Sequence, residues 1–161
     1  MTARRAIEVE LGGRRLALSN LDKVFYPAAG FTKGQVLDYY LRAAPALLPH
    51  LRDRPLTLKR YPEGVQGPFF YEKRCPSHRP PWVRTAAIPS GAGAEEIRFC
   101  VVNDLASLAW AVNLADLEMH TYLHRARDPA RPTALVFDLD PGPPADAVEP
   151  EARLGDDVLA A

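Results

Sequence analysis

An apolar run that ends in two acids and a Pro-Gly stop constrains this chain most. Ala134-Leu135-Val136-Phe137 reads as a buried β-strand, and Asp138-Leu139-Asp140-Pro141-Gly142 follows it directly. On a strand, residues two apart project from one face, so Asp138 and Asp140 are expected to point together at the exposed carboxyl end. Convergent carboxylates repel each other unless a cation lies between them. Hard divalent ions with oxygen ligands, Mg²⁺ or Mn²⁺, suit that arrangement. The alternative, one acid capping the turn and the other solvated, suits a bare D-x-D better than one framed by an apolar strand and a Pro-Gly stop.

With 161 residues the chain is long enough for one domain with its own core, and its 16 prolines imply many loops and few long helices. No segment approaches the roughly 20 apolar residues that a bilayer span needs. Met1-Thr2-Ala3-Arg4-Arg5 leads into a charged strand rather than the apolar core of a signal peptide. Cys75 and Cys100 lack metal-site spacing, and each is expected to pack in the core of a protein of the reducing cytoplasm. The net charge of zero conceals an asymmetry: residues 1–90 carry a balance of +8 and residues 91–161 one of −8. A basic amino half and an acidic carboxyl half fit a protein that holds a polyanion with one surface and metal ions with the other. Solvated surface charge that happens to segregate is the plainer alternative.

Ile7–Leu11 and Arg15–Leu18 alternate around Gly12-Gly13, which predicts a β-hairpin. Thr32 and Gln35 form a capping box opening a helix that buries Val36, Leu37, Tyr40 and Leu41. Pro45 should end or kink it. Leu56–Tyr61, Phe69–Lys73, Ile97–Val102 and Leu117–His120 read as strands, residues 74–94 as loop, and Asp104 as the cap of a helix reaching Asn113. The class expected is α+β with a mixed or antiparallel sheet and flanking helices.

Five blocks taken in order resemble the polymerase domain of bacterial DNA ligase D, of the archaeo-eukaryotic primase superfamily. They are Leu18–Val24, Phe31–Lys33, Arg54–Pro62, Phe70–Lys73 and Leu135–Gly142. The resemblance implies the amino-terminal part of a primase-polymerase fold over residues 1–142, with 143–161 a divergent acidic Pro/Ala-rich tail. It also implies a metal-dependent nucleotidyltransferase of non-homologous end joining in the bacterial cytoplasm, associated with the nucleoid. Its expected partners are DNA ends or gaps bearing a 5′-phosphate and a nucleoside triphosphate substrate. By the same analogy a ligase domain and a Ku-like end-binding protein act alongside it.

Residue by residue, the resemblance makes Asp138 and Asp140 the acids that hold Mn²⁺ or Mg²⁺. Such ions would neutralise charge on the transferring phosphate and activate a 3′-hydroxyl. His120 corresponds to a histidine near the nucleotide phosphates, although a lone histidine is more often structural. Asn20, Lys23 and Lys33 correspond to the pocket for the 5′-phosphate across a gap, a role suited to lysine as a compact point charge. Phe70 and Tyr71 correspond to an aromatic pair that stacks on template bases, Tyr71 standing where the family usually has a second Phe. By strand alternation at least one of Phe69, Phe70 and Tyr71 is expected to point inward. Lys59 and Arg60 are assigned to phosphate contact.

The family pattern also calls for a Ser-x-His motif and a third metal-binding Asp after the D-x-D strand. The 19 residues after Gly142 hold no histidine and no serine. The expectation is therefore a domain truncated before those motifs and impaired alone, which a second polypeptide would complete. The competing expectations are a non-catalytic 5′-phosphate end-binding module and an inactive remnant. A haloacid-dehalogenase-like phosphatase also runs from an apolar strand into D-x-D, but the Pro-Gly that follows here argues against it.

Overall fold

The computed structural model describes residues 6–89 and 95–139. Strands β1 (Ala6–Leu11) and β2 (Arg14–Ser19) form the predicted hairpin. Gly12 and Gly13 both take positive φ, the conformation that a two-residue hairpin turn requires. Short strands β3 (Val24–Tyr26) and β4 (Phe31–Thr32) pair across a 3₁₀ turn and lead into helix α1, Lys33–Leu51. The capping box at its start is complete: Thr32 accepts from the Gln35 amide while the Gln35 side chain accepts from the Thr32 amide. Gly34 lets this first turn lie against the preceding loop, since a Cβ there would sit 3.2 Å from the Leu21 carbonyl oxygen.

Five strands form the main sheet: β5 (Leu56–Arg60), β6 (Phe70–Glu72), β7 (Arg84–Pro89), β8 (Glu96–Val101) and β9 (Asp116–Thr121). Every pairing among them is antiparallel. Along one edge β5 meets β6 and, at Leu56, β8; along its other edge it meets β9. Helix α2 (Leu105–Asn113), capped by Asp104 and Ser107, is buried over most of its length and packs against α1. Leu56, Leu58, Leu108, Val112, Phe25 and Val36 join sheet and helices in one core. The class is α+β, as the sequence implies. Among the described residues no helix is long and apolar enough to cross a membrane.

Four local expectations are corrected. First, α1 runs on through both Pro45 and Pro49. Both prolines lie on the exposed side, so the carbonyls that lose a helix donor can turn to water. Second, the stretch 74–94 contains β7, whose six residues pair with β8 from Arg84↔Val101 to Pro89↔Glu96. Its terminal proline, Pro89, stands at the end of an edge strand, where a missing amide is tolerated. Third, Cys75 and Cys100 do pack in the core, but joined in a disulfide, with Cα atoms 4.9 Å apart. The loop after β6 crosses β8, where the Cys75 amide donates to the Arg98 carbonyl, and that crossing brings together two cysteines 25 residues apart.

The fourth correction concerns the stretch before the paired acids. Residues 134–139 carry no strand pairing among the described residues, and Leu135 and Phe137 are 77% and 76% exposed. An apolar run becomes a buried strand only where a neighbour completes its hydrogen-bond ladder. Both edges of β5 are already taken, so among the described residues the run finds no place beside the central strand.

Candidate nucleic-acid interface

Asn20, Lys23 and Lys33 meet where β2 passes into α1. Asn20 sits in the left-handed region (φ 56°), which asparagine tolerates, and its carbonyl accepts from the Lys23 amide. The Lys33 and Gly34 amides then donate to the Lys23 and Leu21 carbonyls at 2.8 Å each. The first amides of α1 are thus consumed by its own chain, and any anion here would be met by side chains. Lys23 Nζ donates to the Pro62 carbonyl (2.6 Å) and to Glu63 Oε2 (2.7 Å).

Lys33 is 4% exposed, and its Nζ donates to the Ser19 carbonyl (2.6 Å) and to Asn113 Oδ1 (2.8 Å). Both acceptors are neutral. Among the described residues Lys33 has no carboxylate in ion-pair contact, whereas Lys23, Lys59 and Arg60 each have one. Burial, then repulsion from Lys23 and Arg60, pull the Lys33 ammonium down to about 8. Asn113 orders the site from behind: it also accepts from the Ser19 amide (3.1 Å) and donates to the Ala17 carbonyl (3.1 Å).

On the outer face of the sheet, the register places Lys59 between Tyr71 of β6 and Glu118 of β9, with His120 opposite Thr57. Lys59 Nζ donates to Glu118 Oε1 (2.7 Å) and lies 4.5 Å from the Phe69 ring centroid. Tyr61 donates its hydroxyl to the same carboxylate oxygen, and His120 Nε2 lies 3.4 Å from Oε2. The Lys59 and Tyr61 hydrogen bonds hold the Glu118 carboxyl down at about 2, and Glu118 in turn raises Lys59. Tyr61, Phe69, Tyr71 and His120 form a chain of ring contacts with centroids 5.4 to 5.9 Å apart.

Phe70 projects from the opposite face, with the Arg60 guanidinium 5.1 Å from its ring centroid. Arg60 also donates to Glu72 Oε2 (2.7 Å) and to the Leu114 carbonyl (2.8 Å). Strand alternation therefore holds, but Phe69, Phe70 and Tyr71 are all exposed, contrary to the expectation that one points inward. The three-residue strand β6 lies at the edge of the sheet, where Arg60 lies against the Phe70 ring and still leaves it 44% exposed.

The structure thus groups Asn20 with Lys23 and Lys33, and Lys59 with Tyr71 and His120. Asp138 is exposed in the unpaired segment, and no hydrogen bond or ion pair among the described residues ties it to either group. Asp140 lies outside the described residues. Among those described, no three His, Cys, Asp or Glu side chains converge as a metal site, so Asp138 alone does not make one. Sequence reasoning missed Asn113 and Glu118. Glu118 had a signal, since it shares a strand face with His120; Asn113 had none beyond its place at a helix end. A cleft of about 330 Å³ beside Tyr26, Phe31 and Tyr39 involves none of the residues proposed from sequence.

A family model for the LigD primase-polymerase domain matches residues 32–161. The multifunctional non-homologous end joining protein LigD of Mycolicibacterium smegmatis is 42% identical over 132 residues, covering 80% of this chain and 17% of that protein. The bifunctional non-homologous end joining protein LigD of Bacillus subtilis is 31% identical over 127 residues, covering 79% of this chain and 20% of that protein. The chain thus spans a fifth or less of the length of these relatives. A solved structure of the polymerase domain from Mycobacterium tuberculosis ligase D in complex with DNA superposes with a TM-score of 0.65 at 39% identity. That match covers 69% of this chain and 38% of the other.

Proposed function

The chain belongs to the LigD primase-polymerase family, and from that membership we propose that it is the end-binding part of a nucleotidyltransferase of non-homologous end joining. One observation supports the phosphate half of this reading above the others: among the described residues the buried Lys33 ammonium has no carboxylate partner and two further cations nearby. A buried charge without a counter-charge is costly, and a terminal phosphate would supply one. Asn20 and Lys23 flank it. The exposed Phe70 and Tyr71 offer ring faces for unpaired template bases, with Arg60 and Lys59 beside them.

In this proposal Asp138 and Asp140 would supply hard oxygen donors to Mn²⁺ or Mg²⁺, which would neutralise developing charge on a nucleotide's phosphate. His120, oriented by Glu118, would stand on the platform that the nucleotide's phosphates approach. A ligase domain and a Ku-like protein are proposed as partners by family analogy.

The test is fluorescence anisotropy on a gapped duplex with and without a downstream 5′-phosphate. The phosphorylated gap is expected to bind about tenfold more tightly, as for one charge-assisted contact. Lys33→Ala should erase that difference, and equal affinity for both gaps in the parent chain would overturn the phosphate assignment. Phe70→Ala and Tyr71→Ala should each weaken both complexes about tenfold or more, at roughly 1–3 kcal/mol per stacked base, and leave the phosphate dependence intact. A second reading, a non-catalytic end-binding module, is favoured by the exposure of Asp138 in a segment that pairs with no strand among the described residues. Primer extension with Mn²⁺ that disappears in Asp138→Asn would decide for the enzyme; phosphate-dependent binding without extension would decide for the module.

A further inference from the structure

Asp116 is fully buried, and among the described residues neither of its carboxylate oxygens meets a hydrogen-bond donor. The backbone puts it there by construction. Ala115 takes a positive φ of 65°, its carbonyl accepts from the Tyr61 amide, and the Leu114 carbonyl accepts from Arg60 Nε. The β5–β9 register then slips, so that Lys59 faces Glu118 while Arg60 faces Asp116. The bulge aims a carboxylate at the cross-strand position of the guanidinium already bound to Glu72.

We propose that Asp116 is a positioning residue, a second acceptor that Arg60 takes up when it leaves Glu72 and the face of Phe70. Two acids, Glu72 on β6 and Asp116 on β9, compete for one guanidinium. In the structure described, Arg60 is held by Glu72 and covers Phe70. Turned to Asp116, it uncovers the Phe70 ring for a base and frees Glu72 at the sheet edge.

Electrostatics support the geometry. Burial pushes the Asp116 carboxyl well above the usual range, with Glu72 and Glu118 pushing the same way. Arg60 pulls it back, as does the Lys59 amide, which favours the anion without closing a hydrogen bond. From α1, Tyr40 faces the same group; its hydroxyl, raised to about 12 chiefly by burial and then by Asp116, stays protonated and is engaged with the Leu117 carbonyl. Arg60 arriving at Asp116 would therefore favour the Asp116 anion, and Glu72 would be left at the sheet edge without its partner.

The functional half of this inference rests on the end-binding reading above; the exchange itself does not, and DNA-free measurements decide it. The carboxyl titration of Asp116, followed by ¹³C NMR, is expected to fall by about one pH unit or more in Glu72→Gln, and by much less when the same change is made in Arg60→Gln. Losing the Glu72 charge lowers it in both backgrounds, and only pairing with Arg60 adds the rest; equal falls overturn the exchange. An unmoved titration overturns the exchange, and this comparison uses no Asp116 variant. In thermal unfolding, Glu72→Gln and Asp116→Asn should each shift the midpoint slightly, while the double variant loses more than their sum; additive losses count against the exchange. In the gap-binding assay, Asp116→Asn is expected to weaken binding about threefold or more, with no further loss when added to Arg60→Gln. If the parent binds no gapped DNA, the end-binding reading falls while the titration still decides the exchange.

Discussion

Raising the pH from about 7 to about 10 is expected to make the folded chain more stable and, at the same time, a poorer binder of phosphorylated ends. Both trends follow from Lys33. Its ammonium titrates at about 8 in the folded chain against 10.5 when unperturbed. Below pH 8 both states hold the proton, and the folded state bears the full cost of a buried charge. Between 8 and 10.5 the folded state releases the proton while the unfolded chain keeps it. The unfolded state then binds more protons, so stability rises with pH, by about 3 kcal/mol across the window. The same deprotonation removes the cation that would meet a phosphate. Urea unfolding across this range checks the first trend, with Lys33→Met as the reference that should lack Lys33's share of the rise. Anisotropy on the phosphorylated gap checks the second. Because a bound phosphate would restore the proton, calorimetry near pH 8 should show binding heats that vary with the buffer's ionisation enthalpy. A parent and a Lys33→Met variant with superimposable stability profiles would contradict the assignment.

Reducing the Cys75–Cys100 disulfide is expected to lower the unfolding midpoint by about 10 °C. The bond closes a loop 25 residues apart in sequence, for which restriction of the unfolded chain alone contributes about 3.5 kcal/mol. The closed loop holds β7 and reaches to within three residues of β6, so its release loosens the edge that carries Phe70 and Tyr71. Both cysteines are buried, and a mild reductant should act only as fast as the protein opens locally. Thermal melts of the parent with and without a strong reductant, beside Cys75→Ala/Cys100→Ala, provide the check. Identical midpoints, or two free thiols in the native parent, would refute it.

Local chemistry was legible in the sequence where one side chain or one glycine determines a backbone turn. Thr32 with Gln35, Asp104 at the second helix and the Gly12-Gly13 hairpin all appear where their residue types demand. Asn20, Lys23 and Lys33 could be grouped only through family resemblance, because a helix start and a returning turn bring them together. What stayed hidden depends on distant partners. β7 is a strand because β8 lies beside it, although Pro76, Pro80 and Pro81 precede it and Pro89 ends it. Conversely, Leu135–Phe137 has the composition of a buried strand and no ladder partner among the described residues. The cysteine pair depends on one loop crossing one strand. Asp116 looked like any strand-edge acid, since nothing local announces the bulge that turns it inward.

The Asn113 side chain has a consequence for the order in which the protein acquires its parts. Its bonds to Lys33, Ser19 and Ala17 span 80, 94 and 96 residues, so they close only after most of the chain has condensed. Contacts of such long range form late and slowly, because the entropy of the intervening loop must be overcome first. The lysine pocket is therefore expected to be completed late in folding. Competence to capture a phosphorylated end would then appear in refolding with the final kinetic phase, behind the helical signal, so that binding itself certifies a finished fold.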